Sequence, residues 1–138
     1  MTSVYLAGSS RELPRARAAR AALLELGLVV AGGDWIEEVD THGSVGLRLP
    51  QDVRETIAAA WVASIRGAGV VCALVPDDHV SVGLVHELGV ARALGRPVVL
   101  ASKTPRARMH PALLSPGWTV YGADDAALRA AYQMARRA

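Results

Sequence analysis

Apolar positions along this chain fall into short runs that alternate with longer stretches of helical spacing. "SVYLAG" is a β-branched and aromatic run ended by Gly8, Ser9 and Ser10, and it predicts a strand and a polar turn. From Glu12 to Leu26, alanines, leucines and arginines recur at helical intervals, and Gly27 reads as the helix stop. "LVVAGG" predicts a second strand closed by two glycines. Asp34 to Pro50 shows no sustained period and is long for a connection. Gln51 to Arg66 predicts a helix that starts just after Pro50, with acids early and an arginine late, as the helix dipole favours. "GVVCALV" and "RPVVLAS" are the continuous apolar runs of strands covered on both faces, and the helical segment beginning at Ser81 lies between them. After a proline-interrupted loop, "WTVYG" predicts a short strand and "DDAALRAAYQMARRA" a closing amphipathic helix.

Strands alternating with helices make a parallel sheet with right-handed crossovers. The simplest arrangement is an α/β single domain over residues 1–138, doubly wound and flavodoxin- or Rossmann-like. It has five strands in the order 2-1-3-4-5 and helices on both faces. Ligands of such sheets sit beyond the carboxyl ends of the strands. The segments expected at that rim are "YLAGSSR", "GGDWIEE", "PDDHVSVG" and "SKTPRARMH".

Composition narrows the class. Hydrophobic residues make up 51% and charged residues 20%, as in a compact protein with layered elements. The formal charge is only +2, and the basic residues, Lys103 and otherwise arginines, are scattered, so a nucleic-acid partner is not expected. No apolar run approaches a membrane span and no signal peptide is evident, so no membrane partner is expected. Cys72, the one cysteine, sits in an apolar run; a cytoplasmic location is the expectation. His42, His79 and His86 make no metal-ligand spacing, so neither metal nor cofactor is implied.

Two segments could do chemistry. Gly8, Ser9, Ser10 and Arg11 follow the first strand, where amides and hydroxyls could meet an anion or simply form a strand-to-helix turn. The spacing is neither a dinucleotide fingerprint nor a Walker A loop. Ser81 can cap the next helix, and Gly83 would let a phosphate approach its first turn. Glu87, six residues on, lies about one and a half turns inside that helix. A glutamate there either faces the same pocket or partners one of the many arginines.

"VYLAGSS", "GVVCALVP" and above all "SVGLVHELGVARALGRPVVL" resemble the nucleoside 2-deoxyribosyltransferase superfamily, most closely its 2'-deoxynucleoside 5'-phosphate N-hydrolase branch. The resemblance implies that Glu87, in the E-L-G motif, attacks the anomeric carbon of the sugar and displaces the base, with Tyr5 orienting it. It implies that Ser81, where transferases carry an aspartate, marks a monophosphate substrate. Gly8, Ser9, Ser10, Arg11 and Gly83 would complete the phosphate site. Water as the second acceptor makes a hydrolase and a second base makes a transferase; a catalytically silent nucleotide-binding domain is the other reading. The implied partner is a small nucleotide, in a homodimer or higher homo-oligomer whose neighbouring subunit contributes through the loop holding Met109 and His110.

One departure concerns the leaving base. Trp61 stands where the superfamily carries an aspartate that works with the nucleophile, and indole cannot replace a carboxyl group. Asp52 and Glu55 lie out of phase on the same helix. Asp77, Asp78 and His79 are at the correct rim to supply a proton. Trp61 is either a base-stacking platform or a core residue, and Trp35 either stacks on a base or covers a core edge.

Overall fold

The computed structural model describes residues 3–32, 36, 50–104 and 110–137. Five strands form one sheet: β1 (Ser3–Ala7), β2 (Val29–Gly32), β3 (Val70–Leu74), β4 (Val98–Ala101) and β5 (Thr119–Tyr121). Their order is β2-β1-β3-β4-β5 and every pairing is parallel, the doubly wound arrangement expected from the alternation. Helices α1 (Leu13–Glu25), α2 (Gln51–Gly67), α3 (Val82–Ala93) and α4 (Asp124–Arg137) cover it.

The pleat sends alternate side chains to opposite faces, and each face builds its own core. Val4, Leu6, Val70, Cys72, Leu74, Val99 and Ala101 pack with residues of α1 and α4. Tyr5, Ala7, Val71, Ala73, Val98 and Leu100 pack with Ile65 of α2 and with Leu84, Leu88 and Ala91 of α3. β3, buried at every position, is covered on both faces, as its unbroken apolar run requires. Burial pushes the Cys72 thiol up to about 12, so it is a packing residue at neutral pH.

Gly27 ends α1 as expected: its φ of 81° lies in the left-handed region, and the Leu28 amide closes back on the Leu23 carbonyl at 3.3 Å. The start of α1 differs slightly from expectation. Ser9 caps a 3-10 turn, Ser10–Glu12, and the α-helix proper begins at Leu13, next to Pro14.

Arg15 fastens the carboxyl rim of the sheet. Its guanidinium donates to both Asp124 oxygens, at 2.8 and 2.7 Å, and to Glu12 at 2.9 Å. It also donates to the carbonyl of Val75 at 2.8 Å and that of Ala101 at 3.1 Å, just beyond or at the ends of β3 and β4. One largely buried cation thus joins α1, α4 and two central strands on the side where the loops emerge.

The strand order reverses between β1 and β3, because the chain leaves β2, crosses over and returns on the far side of β1. A crevice is expected beyond the carboxyl ends of the strands at that switch point. Residues 8–12 leave β1 there, and residues 75–81 leave β3.

Candidate active site

Glu87 is buried, 4% exposed, on the face of α3 turned to the sheet. Its Oε2 accepts a hydrogen bond from the hydroxyl of Tyr5, the fully buried central residue of β1. Among the described residues no arginine pairs with Glu87, so the alternative of a simple ion pair is not what the structure holds. Burial pushes the Glu87 carboxyl up to about 8 from its ordinary 4.5, and the Tyr5 hydroxyl, which steadies the anion, offsets part of that rise.

Tyr5 is seated by a residue that the sequence reading passed over. A Cβ added at Gly32 would lie 2.4 Å from Cε2 of the Tyr5 ring, and the φ of 69° there is also one that side chains rarely adopt. Only glycine at the end of β2 leaves room for the ring that meets Glu87. The paired glycines of "LVVAGG" were the available signal.

Ser81 caps α3: its Oγ accepts from the Leu84 amide at 3.3 Å, and its own hydroxyl hydrogen remains a donor. The first-turn amides of α3 face the positive end of its dipole outward. Gly83 lies in that turn, and a Cβ there would meet no protein atom nearer than Ser81 Oγ at 3.9 Å. Nothing within the described protein therefore requires glycine at this point.

On the β1 side, Ser9 is buried and its Oγ accepts from the Arg11 amide at 3.3 Å, while Gly8 is half-buried and Ser10 and Arg11 are exposed. Ser9 Oγ also lies 2.7 Å from Nε2 of His79, whose Nδ1 is 2.7 Å from Asp78. The structure thus joins the two loops of the switch point, although they are 70 residues apart in sequence. Asp77 and Asp78 are exposed; the hydrogen bond from His79 holds the Asp78 carboxyl below its ordinary range. An ionised Asp78 suits orientation of the imidazole better than proton donation.

Trp61 is half-buried and packs against the cluster that contains Val4, Leu6 and Leu28, not the one that contains Tyr5. Its surroundings are those of a packing residue. Trp35, His42 and Met109 lie outside the described residues. His110 caps the 3-10 turn Pro111–Leu113 by accepting from the Ala112 amide at 3.2 Å. No helix among the described residues is long and apolar enough to cross a membrane.

A doubly wound parallel sheet with a buried glutamate held by a strand tyrosine beside a serine-capped helix defines an α/β protein with a candidate active site. The sequence profile of the nucleoside 2-deoxyribosyltransferase family matches residues 4–127, and the chain belongs to that family of enzymes. No curated protein matches it in sequence. Solved structures that share the fold include the following three. A conserved protein from Enterococcus faecalis V583 has a TM-score of 0.68 and 17% identity, covering 96% of this chain and 98% of its own. The 2-desoxiribosyltransferase from Leishmania mexicana has a TM-score of 0.61 and 16% identity, covering 96% and 98%. The CMP N-glycosidase BcmB of Clostridium botulinum has a TM-score of 0.55 and 17% identity, covering 94% and 97%.

Proposed function

We propose that this protein hydrolyses the base–sugar bond of a nucleoside or deoxynucleoside 5'-monophosphate, with Glu87 as nucleophile. The observation that carries the reading is the buried Tyr5–Glu87 pair, a carboxyl group with no cationic partner among the described residues, next to the switch point of the sheet. A glutamate left without a counter-ion inside a core costs stability unless it is used. In the reaction the Glu87 carboxylate attacks C1' of the sugar as the C1'–N bond breaks. The bonding pair leaves with the base, which takes up a proton. Water then attacks C1' and Glu87 departs as carboxylate, so both the base and a sugar 5-phosphate are released.

Two features support a phosphorylated substrate. Ser81 brings a neutral donor, not a carboxylate, to the start of α3, and Gly83 leaves open space beside it. Gly8, Ser9, Ser10 and Arg11 lie across the switch point from that helix. The CMP N-glycosidase among the structures of like fold is consistent with this choice, and the deoxyribosyltransferase with transfer to a second base.

The position of Trp61 favours a second reading, a nucleotide-binding domain without turnover, since packing against the core leaves the usual acid without a replacement on α2. Incubating the protein with a panel of nucleoside 5'-monophosphates and resolving free bases by chromatography separates the two. The hydrolase reading expects base release that is lost in Glu87→Gln. Ligand-dependent thermal stabilisation with no base from any substrate would establish the silent reading, and release only when a second base is supplied would establish transfer.

A further inference from the structure

The sequence places Asp78, His79 and Ser9 near the same rim, but the hydrogen-bonded chain they form is visible only in the fold. His79 Nδ1 and Asp78 Oδ1 are 2.7 Å apart, and His79 Nε2 and Ser9 Oγ are also 2.7 Å apart. Ser9 lies two residues beyond the end of β1, and His79 lies between β3 and α3. Because β1 and β3 pair directly, with Ala7 opposite Ala73, the Ser9–His79 bond joins the two loops that emerge at the strand-order reversal. The imidazole is largely buried, whereas Asp78 points to solvent.

From this geometry we infer that His79 is a specificity-determining residue which, with Ser9, forms the phosphate-reading edge of the site and selects a 5'-phosphomonoester over a bare 5'-hydroxyl. The inference rests on the nucleotide reading above. Asp78 accepts from Nδ1–H, which fixes the ring so that Nε2 faces Ser9. In the neutral ring Nε2 accepts the Ser9 hydroxyl. In the charged ring Nε2–H donates to Ser9 Oγ, and the serine hydrogen turns outward to an anion. A phosphate dianion in the crevice favours the second state, since it gains one cation and one hydroxyl donor at once. The low position of the Asp78 carboxyl, caused chiefly by its bond to His79, keeps an anion behind the ring. Arg11 contributes further positive charge on the same side. Asp78 acts through His79 and is a positioning residue; His79 would touch the substrate.

The test compares wild type, His79→Ala, His79→Gln and Asp78→Asn on a nucleoside 5'-monophosphate and on the matching nucleoside. Loss of one charge-assisted donor predicts that His79→Ala raises KM for the monophosphate about tenfold or more. kcat should change by much less, and the preference for monophosphate over nucleoside should fall by a similar factor. His79→Gln keeps a hydrogen-bonding partner for Ser9 and should recover part of the loss. Equal losses on both substrates, or an unchanged preference in a folded His79→Ala protein, would overturn the inference. A wild type that releases no base defeats the hydrolase reading alone. Titration of wild type and His79→Gln with inorganic phosphate, followed by 31P NMR line broadening, then decides the role of His79. Binding that weakens in the variant supports it; equal binding, or none by the wild type, ends it.

Discussion

Because burial raises the Glu87 carboxyl to about 8, only about a tenth of the empty protein carries the Glu87 anion, the form proposed to attack the sugar, at pH 7. We therefore expect kcat/KM for base release to rise with pH and to level off above about 8; a profile already flat from pH 6 would contradict the assigned protonation state. The same group affects stability. Its folded value lies above the unfolded 4.5, so its contribution is fully present below about 4.5 and is lost as pH rises through about 8. Glu87→Gln should accordingly melt several degrees higher than wild type at pH 8.5, with the difference closing toward pH 5. Tyr5→Phe removes a hydrogen bond that favours the anion and should move the kinetic midpoint upward. Gly32→Ala is expected to displace the tyrosine ring through a 2.4 Å clash and to lower base release at least tenfold in a protein that still folds. Glu87 was legible in the sequence because a carboxylate interrupts a largely apolar helical segment. The seat of Tyr5 on Gly32 was not, because it depends on a contact between neighbouring strands.

At the scale of elements, the first turn of α3 carries the Ser81 cap and is also the place proposed for the phosphate. Ser81→Ala should cost about 1 kcal/mol of stability through the lost cap. Ser81→Asp keeps the cap but brings a carboxylate to the place proposed for phosphate. It should leave the melting temperature near wild type while abolishing selection for the monophosphate, as a comparison of nucleoside and nucleotide kinetics would show. α1 and α4 depend on Arg15. Replacing it with methionine strands the Asp124 carboxylate and frees two rim carbonyls, an expected loss of roughly 3 kcal/mol in denaturant unfolding. The Arg15 hydrogen bond holds Asp124 low, so this contribution is present above the unfolded carboxylate range and is lost as pH falls through the lower folded value. The strands and helices were readable from period and glycine stops. The Arg15–Asp124 pair, 109 residues apart, left no local trace, and among fourteen arginines nothing in the sequence singles out this one.

For the molecule as a whole, alternation of strands and helices with right-handed crossovers leaves few topologies, which is why the order β2-β1-β3-β4-β5 could be anticipated. That order places the reversal between β1 and β3 and so decides which loops meet. Ser9 and His79 were each legible as rim residues, but their pairing follows from the depth and turn of two loops, which no periodicity encodes. Trp61 shows the converse: comparison with the family placed it at a catalytic position, whereas its apolar neighbours within "IAAAWVASI" already favoured packing, and the fold gives it a hydrophobic cluster. The central claim is that Glu87 becomes covalently attached to the sugar. A 2-fluorinated nucleoside 5'-monophosphate slows the departure of a glycosyl group from a carboxylate more than its arrival, so digestion and mass spectrometry after exposure to it provide the most direct test. The account expects a sugar phosphate ester on the peptide containing Glu87, and none in Glu87→Gln; release of base with that peptide unmodified and the adduct elsewhere would contradict it.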